Sequence, residues 1–234
     1  MAQGKSFKEQ QNRYPRVRQA RVNTTEIIDS ILKKAGFDSW PEVIFLRAFK
    51  SERELEIWGG SDISDTLKLI RTYPFTAYCG KLGPKRRQGD LQIPEGVYYV
   101  DRFNPASSYH LSLGTNYPNR SDRIRATSPD PGGDIFIHGN RVTIGCIPIG
   151  DDQIEELYLL AVEAKNSGQS GIPVHIFPCR MYQEDCMRIL DDRSTDNNTL
   201  QSFWSEIKPI YEAFENTPIL PGITIDDNGV YHVK

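Results

Sequence analysis

The pattern of apolar and polar positions predicts short β-strands through the middle of the chain. Val43–Phe49 and Arg53–Trp58 are such segments, and Lys50-Ser51-Glu52 between them predicts a β-hairpin. Leu67–Tyr73 and Phe75–Cys79 suggest a further strand that is broken or bulged at Pro74. Three other segments have strand character: Val97–Arg102, Tyr109–Leu113 and Val174–Phe177. Because turn residues separate these short segments, the centre of the chain is predicted to be β-rich.

Helical periodicity is found near both ends of the chain and once in between. Asn23-Thr24-Thr25-Glu26 resembles a capping box and predicts a helix that Gly36 ends. Gly150-Asp151-Asp152 predicts the start of a second helix, and Leu200–Phe214 has the apolar spacing of a third. The Asn228-Gly229 pair then predicts a hairpin turn near the C-terminus.

Together these elements predict an α+β fold with more strand than helix. Residues 1–40 are expected to form a polar, loosely packed arm and a helix, and residues 41–180 the main domain. Residues 181–234 are expected to form a helical and hairpin extension. The long polar connection at residues 121–133 is predicted to have no regular structure.

Composition narrows the classes of protein that fit. The chain is 38% hydrophobic and 25% charged, values typical of a folded soluble domain. A net charge of −3 gives no reason to expect nucleic-acid binding, and no apolar run is long enough to predict a membrane span. The N-terminus lacks the apolar segment of a secretory signal, so the chain is either cytosolic or a segment without its targeting sequence.

Four cysteines are too few to predict a disulfide scaffold. Cys179 and Cys186 are close enough in sequence to pair in an oxidising compartment, and they are equally compatible with free thiols. The cysteine count alone therefore leaves the compartment open.

The segment Asp134–Asp152 contains the strongest candidate chemistry. An apolar run ends at His138-Gly139, and Gly145-Cys146 follows after a short polar turn. An imidazole and a thiol at neighbouring strand ends are a plausible base and nucleophile. The alternative is structural, because a cysteine among isoleucines is commonly a buried, inert thiol and a lone histidine is commonly a core residue.

Six motifs around this segment carry a resemblance to a known family. In chain order they are Gly83-Pro84-Lys85, Gly89-Asp90, Ile93-Pro94-Glu95-Gly96-Val97-Tyr98, Tyr117-Pro118-Asn119 with Asp122, Ile137-His138-Gly139 and Gly145-Cys146-Ile147. Their order resembles the L,D-transpeptidase catalytic domain (the YkuD/ErfK family) over about residues 40–180, and most of all its YafK-like murein branch. The resemblance implies a mixed β-sandwich catalytic core with helical additions at both ends.

The resemblance also implies roles for individual residues. Cys146 would be the nucleophile that forms a thioester, and His138 its general base, oriented by the Gly139 carbonyl. A neighbouring imidazolium would lower the pKa of the thiol. Backbone N–H groups around Ile144, Gly145 and Cys146 would form the oxyanion hole.

Three neighbouring residues are weaker candidates. Thr143 is expected to be either a turn hydroxyl or a hydrogen-bond partner within the site. Arg141 could bind a substrate carboxylate, although a solvated turn arginine explains it equally well. Tyr117 could line the substrate groove, although a plain turn accounts for Pro118-Asn119.

One feature departs from the best-known pattern of the family. Seven residues separate His138 from Cys146, fewer than in that pattern, and Ile144 occupies the place of a second histidine. The shortened form is similar to the YafK-like branch. It predicts a trimmed lid over the cleft, which leaves the choice of acyl acceptor open.

The function implied by the resemblance is acyl transfer on bacterial peptidoglycan stem peptides, without a cofactor. The products would be 3→3 crosslinks or an attached lipoprotein; the alternative is hydrolysis by an L,D-endopeptidase or carboxypeptidase, for example to release such a lipoprotein. The same resemblance implies a periplasmic or cell-envelope location and inhibition by carbapenems. A non-catalytic peptidoglycan-binding module is a rival hypothesis. A metal-dependent hydrolase using His110, His138 or His175 is another, but the sequence has no ligand spacing such as HExxH.

Overall fold

The structure is a computed structural model that describes residues 5–234. The first four residues of the predicted N-terminal arm lie outside the described residues. In chain order the elements are α1 (Phe7–Gln11), α2 (Pro15–Lys34), β1 (Val43–Phe49), β2 (Glu54–Gly60), β3 (Lys68–Pro74), β4 (Gly96–Asn104), β5 (Ser112–Thr115), α3 (Arg120–Ile124), β6 (Phe136–His138), β7 (Ile147–Pro148), α4 (Asp151–Asn166), β8 (Ile172–Phe177), α5 (Glu184–Ser194), α6 (Asn198–Asn216), β9 (Ile223–Ile225) and β10 (Tyr231–Val233).

Eight strands form one mixed sheet in the order β3-β2-β1-β8-β4-β5-β6-β7, and β9 and β10 form a separate hairpin. The pairs β1–β8 and β6–β7 are parallel, whereas the other neighbouring strands of the large sheet are antiparallel. The two short strands β6 and β7 lie at one edge of the sheet. The predicted β-rich α+β fold class is confirmed.

Strand β1 shows how the sheet separates two hydrophobic layers. Leu46 and Ala48 belong to the core that contains α2 and α4. Phe49 belongs to the core that contains α5 and α6, and the buried Arg47 forms an ion pair with Glu215 of α6. Since successive side chains of a strand point to opposite faces, this alternation places the helices on both sides of the sheet.

The N-terminal helix begins earlier than the sequence pattern predicts. Pro15 begins α2, because a proline at the first helical position loses no intrahelical hydrogen bond. The predicted capping residues Thr24 and Thr25 are inside the helix, where their hydroxyls donate to the carbonyls of the preceding turn. The arm before α2 also contains a helix, α1, and Lys8 of α1 forms an ion pair with Glu163 of α4.

The C-terminal extension is tied to the sheet by a buried ion pair. Lys50, directly after β1, contacts Glu95 at 2.9 Å, and both side chains are fully buried. Glu95 also accepts a hydrogen bond from the Trp204 indole of α6 at 2.8 Å. Cys179 and Cys186, whose state the sequence leaves open, form a disulfide bond across the predicted boundary between the main domain and the extension.

Two predictions near the site were wrong at the level of secondary structure. The predicted strand Tyr109–Leu113 begins only at Ser112, because His110 has a left-handed backbone (φ 69°) that interrupts extended structure. The predicted irregular connection contains the short helix α3. Asn119 and Asp122 form a reciprocal capping box there, which explains why a polar segment is helical.

Candidate active site

The register of β6 and β7 brings His138 and Cys146 onto the same face of the sheet. Ile137 pairs with Ile147 in parallel, so Cys146 lies beside Phe136, two residues before His138. Residues two apart on a strand point to the same face. A rise of about 3.3 Å per residue and a strand spacing of about 4.8 Å place such diagonal Cα atoms about 8 Å apart. Side chains as long as imidazole can bridge that separation.

The turn after His138 fixes the orientation of its ring. His138 Nδ1 lies 2.5 Å from the Gly139 carbonyl oxygen, and a carbonyl can only accept a hydrogen bond. Nδ1 therefore carries the proton in the neutral ring, which leaves Nε2 as the available base. A Cβ at Gly139 would meet the Tyr109 carbonyl oxygen at 2.9 Å, so the close approach of the two loops requires glycine.

The sulfur of Cys146 is held by two backbone groups. It accepts a hydrogen bond from the Phe136 N–H at 3.4 Å, and its S–H donates to the Asp134 carbonyl oxygen at 3.5 Å. The residue is half-buried and unpaired, and it lines a cavity. A core cysteine would be enclosed by apolar side chains, so this geometry favours the reactive interpretation over the structural one.

The turn before Cys146 is organised by Thr143. Its hydroxyl donates to the Cys146 carbonyl at 2.8 Å and accepts the Gly145 N–H at 3.1 Å. The prediction that Gly145 supplies an oxyanion N–H therefore does not fit this conformation. Within residues 5–234, the amides of Ile144 and Cys146 donate to no turn carbonyl or side chain, so these two N–H groups are free to bind an oxyanion.

His138 and Cys146 open into one cavity of about 480 Å³. Its lining combines polar residues with apolar ones that include Val142 and Ile144. Ile144 is 79% exposed, as expected of a short loop that does not cover the site. The cavity lining comprises Asn104, Ser107, Ser108, Tyr109, Ser112, Asp134, Phe136, His138, Val142, Thr143, Ile144 and Cys146.

Burial shifts the pKa values of Cys146 and His138 in the directions that favour their neutral forms. It raises the pKa of the Cys146 thiol above its ordinary value of 9.0, although the Phe136 N–H opposes the shift. It also lowers the pKa of His138 below 6.5, against the effect of the Gly139 carbonyl. The resting pair is therefore a neutral thiol and a neutral imidazole, and the expectation of a thiolate stabilised by an imidazolium is corrected.

Sequence reasoning missed Tyr109 and Arg16, which support His138. The Tyr109 ring lies 4.8 Å from the His138 ring, with 36° between the planes. Arg16 of α2 donates to the carbonyls of Ser107 and His110, on both sides of Tyr109. No local pattern predicts this contact, because Arg16 and the loop are more than 90 residues apart.

The two weakest candidates lie away from the catalytic cavity. Tyr117 is buried, its phenol donates to the Pro131 carbonyl at 2.8 Å, and it does not line this cavity. Asp122 is buried against Arg86 and Tyr98, and burial raises its pKa to about 6. Arg141 is exposed at the turn and does not line the cavity.

The remaining histidines are accounted for by neighbouring groups. The His110 imidazole pairs with Glu155, the exposed His232 pairs with Asp226, and His175 is buried in β8. Among residues 5–234, no three His, Cys, Asp or Glu side chains are grouped to hold a metal ion. None of the helices in this part of the chain is long and apolar enough to cross a bilayer.

A thiol and an oriented imidazole in one cleft, at the edge of a mixed sheet, define a candidate cysteine acyl-transfer site. Comparison with known proteins gives the family. Residues 50–176 match the model of the YkuD L,D-transpeptidase catalytic domain. The chain is also 32% identical over 193 residues to the provisionally named L,D-transpeptidase YafK of Escherichia coli K12, covering 82% of this chain and 74% of that protein. The chain belongs to the L,D-transpeptidase catalytic-domain family, which confirms the resemblance found in the motifs.

The solved structures that resemble this chain have lower sequence identity to it than YafK has. The helical cell shape determining protein Pgp2 from Campylobacter jejuni is 18% identical, with 86% of this chain and 80% of that chain covered and a TM-score of 0.44. Mycobacterium tuberculosis L,D-transpeptidase 1 is 14% identical, with 58% and 62% covered and a TM-score of 0.32.

Proposed function

We propose that this protein is a cysteine acyl-transfer enzyme that acts on peptidoglycan stem peptides. The observation that carries the proposal is that Cys146 and His138 line one cavity, with the His138 Nδ1 oriented by the Gly139 carbonyl. The substrate class comes from the family, because its members act at the bond between the third stem residue and D-alanine. Family membership and site geometry thus both support acyl transfer through a cysteine thioester.

The first half-reaction forms a thioester. His138 Nε2 takes the Cys146 proton as the sulfur attacks the stem carbonyl, so a C–S bond forms and negative charge develops on the oxygen. The free Ile144 and Cys146 N–H groups stabilise that charge. The C–N bond then breaks, and the proton on His138 goes to the departing amine of D-alanine. A neutral resting pair requires proton transfer to accompany attack.

The second half-reaction transfers the acyl group. An incoming nucleophile gives its proton to His138 and attacks the thioester carbonyl, and the C–S bond breaks to return a protonated thiol. A stem amine would give a 3→3 crosslink, a lipoprotein amine would attach that lipoprotein, and water would complete a hydrolysis. The exposed Ile144 loop leaves the cavity open on one side, so that any of these nucleophiles can enter.

The proposed substrate assigns the protein to the cell envelope. The Cys179–Cys186 disulfide supports this location, because disulfides persist mainly in oxidising compartments such as the periplasm. Fractionation of cells expressing the full-length gene product, with a thiol-trapping assay of the envelope pool, tests the location. A protein recovered only from the cytosol with reduced Cys179 and Cys186 would contradict it.

Acylation by a carbapenem tests the nucleophile. Intact-mass analysis after incubation should show one adduct on the wild type and on Cys79→Ala, and none on Cys146→Ala. Cys79 is the matched control, since it is the other free cysteine in residues 5–234 and is also half-buried. An adduct that persists in Cys146→Ala would sink the assignment of the nucleophile.

Incubation with purified sacculi and muropeptides identifies the acyl acceptor. Mass spectrometry distinguishes 3→3 dimers, a lipoprotein-linked peptide and shortened or released peptides. Products that depend on Cys146 support the enzyme and show which acceptor it uses. An unchanged muropeptide profile, together with retained binding to sacculi, would instead support the non-catalytic binding module.

A further inference from the structure

The irregular segment Leu91–Ile93 packs against the turn that precedes Cys146. The Gln92 carbonyl oxygen lies 3.0 Å from the position that a Cβ would occupy on Gly145, so the two backbones are in close contact. Gly145 lies between Ile144 and Cys146, whose N–H groups are the candidate oxyanion donors. If Gln92 moved away, this tightly packed turn would lose a contact that fixes it.

A second contact joins the same segment to the turn through Cys79. The Cys79 thiol donates to the Leu91 carbonyl at 3.1 Å, and its sulfur lies 3.9 Å from the Thr143 hydroxyl oxygen. That hydroxyl donates in turn to the Cys146 carbonyl at 2.8 Å. The segment and the turn therefore meet at two separate points, one through backbone atoms and one through side chains.

The far end of the segment is bound by the buried ammonium of Lys50. Its three N–H bonds have three acceptors: the carbonyls of Gly83 and Ile93, each at 2.8 Å, and the Glu95 carboxylate at 2.9 Å. Leu91 has a left-handed backbone (φ 57°), which a residue with a side chain rarely adopts, and the segment belongs to no helix or strand. Because no regular ladder of hydrogen bonds holds the segment, contacts such as that from Lys50 fix where it lies.

Trp204 of α6 completes this cluster. Its indole N–H donates to one oxygen of the Glu95 carboxylate at 2.8 Å, while the other oxygen contacts Lys50 and accepts the Gly83 N–H at 2.6 Å. The ion pair is fully buried, and a buried carboxylate is tolerated only when its oxygens are paired and hydrogen-bonded. Trp204 therefore helps to fix the Glu95 carboxylate, and with it the direction in which the Lys50 ammonium points.

We propose that Trp204, Glu95 and Lys50 are positioning residues for the turn that presents the oxyanion N–H groups beside Cys146. The proposal rests on the function proposed above and adds α6 to the elements on which that function depends. Contacts run without a gap from the indole in α6, through the ion pair, to the backbone that touches Gly145. The three residues lie outside the lining of the active-site cavity, so they act on the rate without touching the substrate.

Trp204→Phe tests the proposal, because it removes the indole N–H and keeps an aromatic ring. Carbapenem acylation measured at several drug concentrations separates the maximal rate constant kinact from the half-saturating concentration KI. Since the oxyanion forms during reaction and not on binding, kinact should fall about tenfold while KI stays within about twofold. In nitrogen–proton correlation spectra the Gly145 amide resonance should shift, because the turn moves relative to the Thr143 hydroxyl that accepts this N–H.

Phe214→Leu in the same helix is the matched control. Phe214 is buried like Trp204, but it packs against Phe45 and Trp58 in a separate hydrophobic cluster. At similar stability, measured by urea unfolding, the control should keep the kinact and the Gly145 resonance of the wild type. An equal fall in kinact in both variants, or an unmoved Gly145 resonance in Trp204→Phe, would overturn the proposal.

A second variant tests the path through the ion pair. Lys50→Met combined with Glu95→Gln removes both buried charges, and neutral side chains of similar size commonly replace a buried ion pair without loss of the fold. This variant should lower kinact about as much as Trp204→Phe does. Adding Trp204→Phe to it should lower kinact no further, because all three changes act through one chain of contacts. Effects that multiply would show that Trp204 acts by another route and would contradict the proposal.

The outcomes keep this proposal distinct from the proposed function. If the wild type is not acylated, the proposed function fails, and the Gly145 resonance alone decides the positioning role. A shift in Trp204→Phe but not in Phe214→Leu would then support that role, and no shift would overturn it. If the wild type is acylated, while Trp204→Phe matches Phe214→Leu in rate and spectrum, the positioning role fails and the proposed function stands.

Discussion

At the scale of single residues, the protonation of Cys146 and His138 has a direct chemical consequence. Burial raises the pKa of Cys146 above 9.0 and lowers that of His138 below 6.5, so little thiolate is present at neutral pH. In a Cys79→Ala background, alkylation of Cys146 by iodoacetamide should therefore rise about tenfold per pH unit up to at least pH 9. A plateau of fast alkylation between pH 5 and 7 would instead indicate a thiolate–imidazolium pair.

Gly145 is a second residue with a specific backbone requirement. Its φ of 141° is strained for any residue with a Cβ, and that Cβ would meet the Gln92 carbonyl oxygen at 3.0 Å. Gly145→Ala should lower the rate of carbapenem acylation more than tenfold and destabilise the fold by about 1–3 kcal/mol. Gly171→Ala is the control, because its Cβ would make only ordinary contacts with Tyr99 at 3.5 Å. Equal acylation rates for both variants would contradict a tight turn at Gly145.

The site residues differ in how far the sequence predicts them. Cys146, His138 and Gly139 are predicted together because their motif is short and continuous in sequence, and the structure places Cys146 and His138 in one cavity. The protonation of the pair was predicted wrongly, because the pKa values depend on burial by distant segments. For Tyr117 the sequence leaves a groove residue and a plain turn open, and the fold buries its ring.

At the scale of elements, the N-terminal helix α2 is joined to the active site through Arg16. Its guanidinium donates hydrogen bonds to the carbonyls of Ser107 and His110. The Tyr109 ring, in the loop between them, packs against the His138 ring. Arg16→Ala should lower kcat about tenfold with little change in KM, because the loop positions the base without binding substrate. Arg16→Lys should restore part of the rate.

The control for this prediction is Arg18→Ala in the same helix. Among residues 5–234, Arg18 donates only to the local carbonyls of Asn12 and Arg13, so its removal should leave kcat unchanged. Unfolding measured in urea must show similar stability for the Arg16 and Arg18 variants. A loss of kcat that only follows a loss of stability would contradict a positioning role.

Elements were predicted best where the pattern is local. The β1–β2 hairpin and the β9–β10 hairpin follow from alternation and from an Asn-Gly turn, which act over a few residues. The predicted start of α2 is wrong because Thr24 and Thr25 resemble N-cap residues in sequence. In the structure their hydroxyls donate to carbonyls within the helix. The short helix α3 was missed, and β5 was begun too early, since a left-handed His110 has no sequence pattern.

At the scale of the whole molecule, strand order could not be predicted. The sequence suggests neighbouring hairpins, but β8 lies between β1 and β4 and is parallel to β1. Such non-local pairing depends on how α4 and α6 pack across the sheet. The hydrophobic periodicity and the strand propensity of a segment do not encode that packing. The edge position of β6 and β7 follows from this order, and it leaves Cys146 accessible at the rim of the sheet.

The centre of the sheet also predicts how the whole protein responds to acid. His175 in β8 is buried between the rings of Phe45 and Phe177, and its Nδ1 has no partner in residues 5–234. Burial, and then the nearby Arg47, lower its pKa to about 3. Because the folded state keeps His175 neutral below pH 6.5 while the unfolded chain takes up a proton, acid favours the unfolded chain. The contribution of His175 to stability is therefore complete above pH 6.5 and is lost as the pH falls from 6.5 toward 3.

Replacing His175 by phenylalanine therefore makes the fold less sensitive to acid. Between pH 7.5 and 4.5 the wild type should lose about 3 kcal/mol more free energy of unfolding than His175→Phe. The reason is that pH 4.5 is about two units below the histidine pKa of about 6.5 in the unfolded chain, and each unit is worth about 1.4 kcal/mol. Urea unfolding followed by tryptophan fluorescence measures both proteins. His232→Phe removes an exposed histidine and should retain the acid sensitivity of the wild type. Parallel pH profiles for the wild type and His175→Phe would show that His175 is protonated in the folded sheet, and that the packing around β8 is looser than the structure indicates.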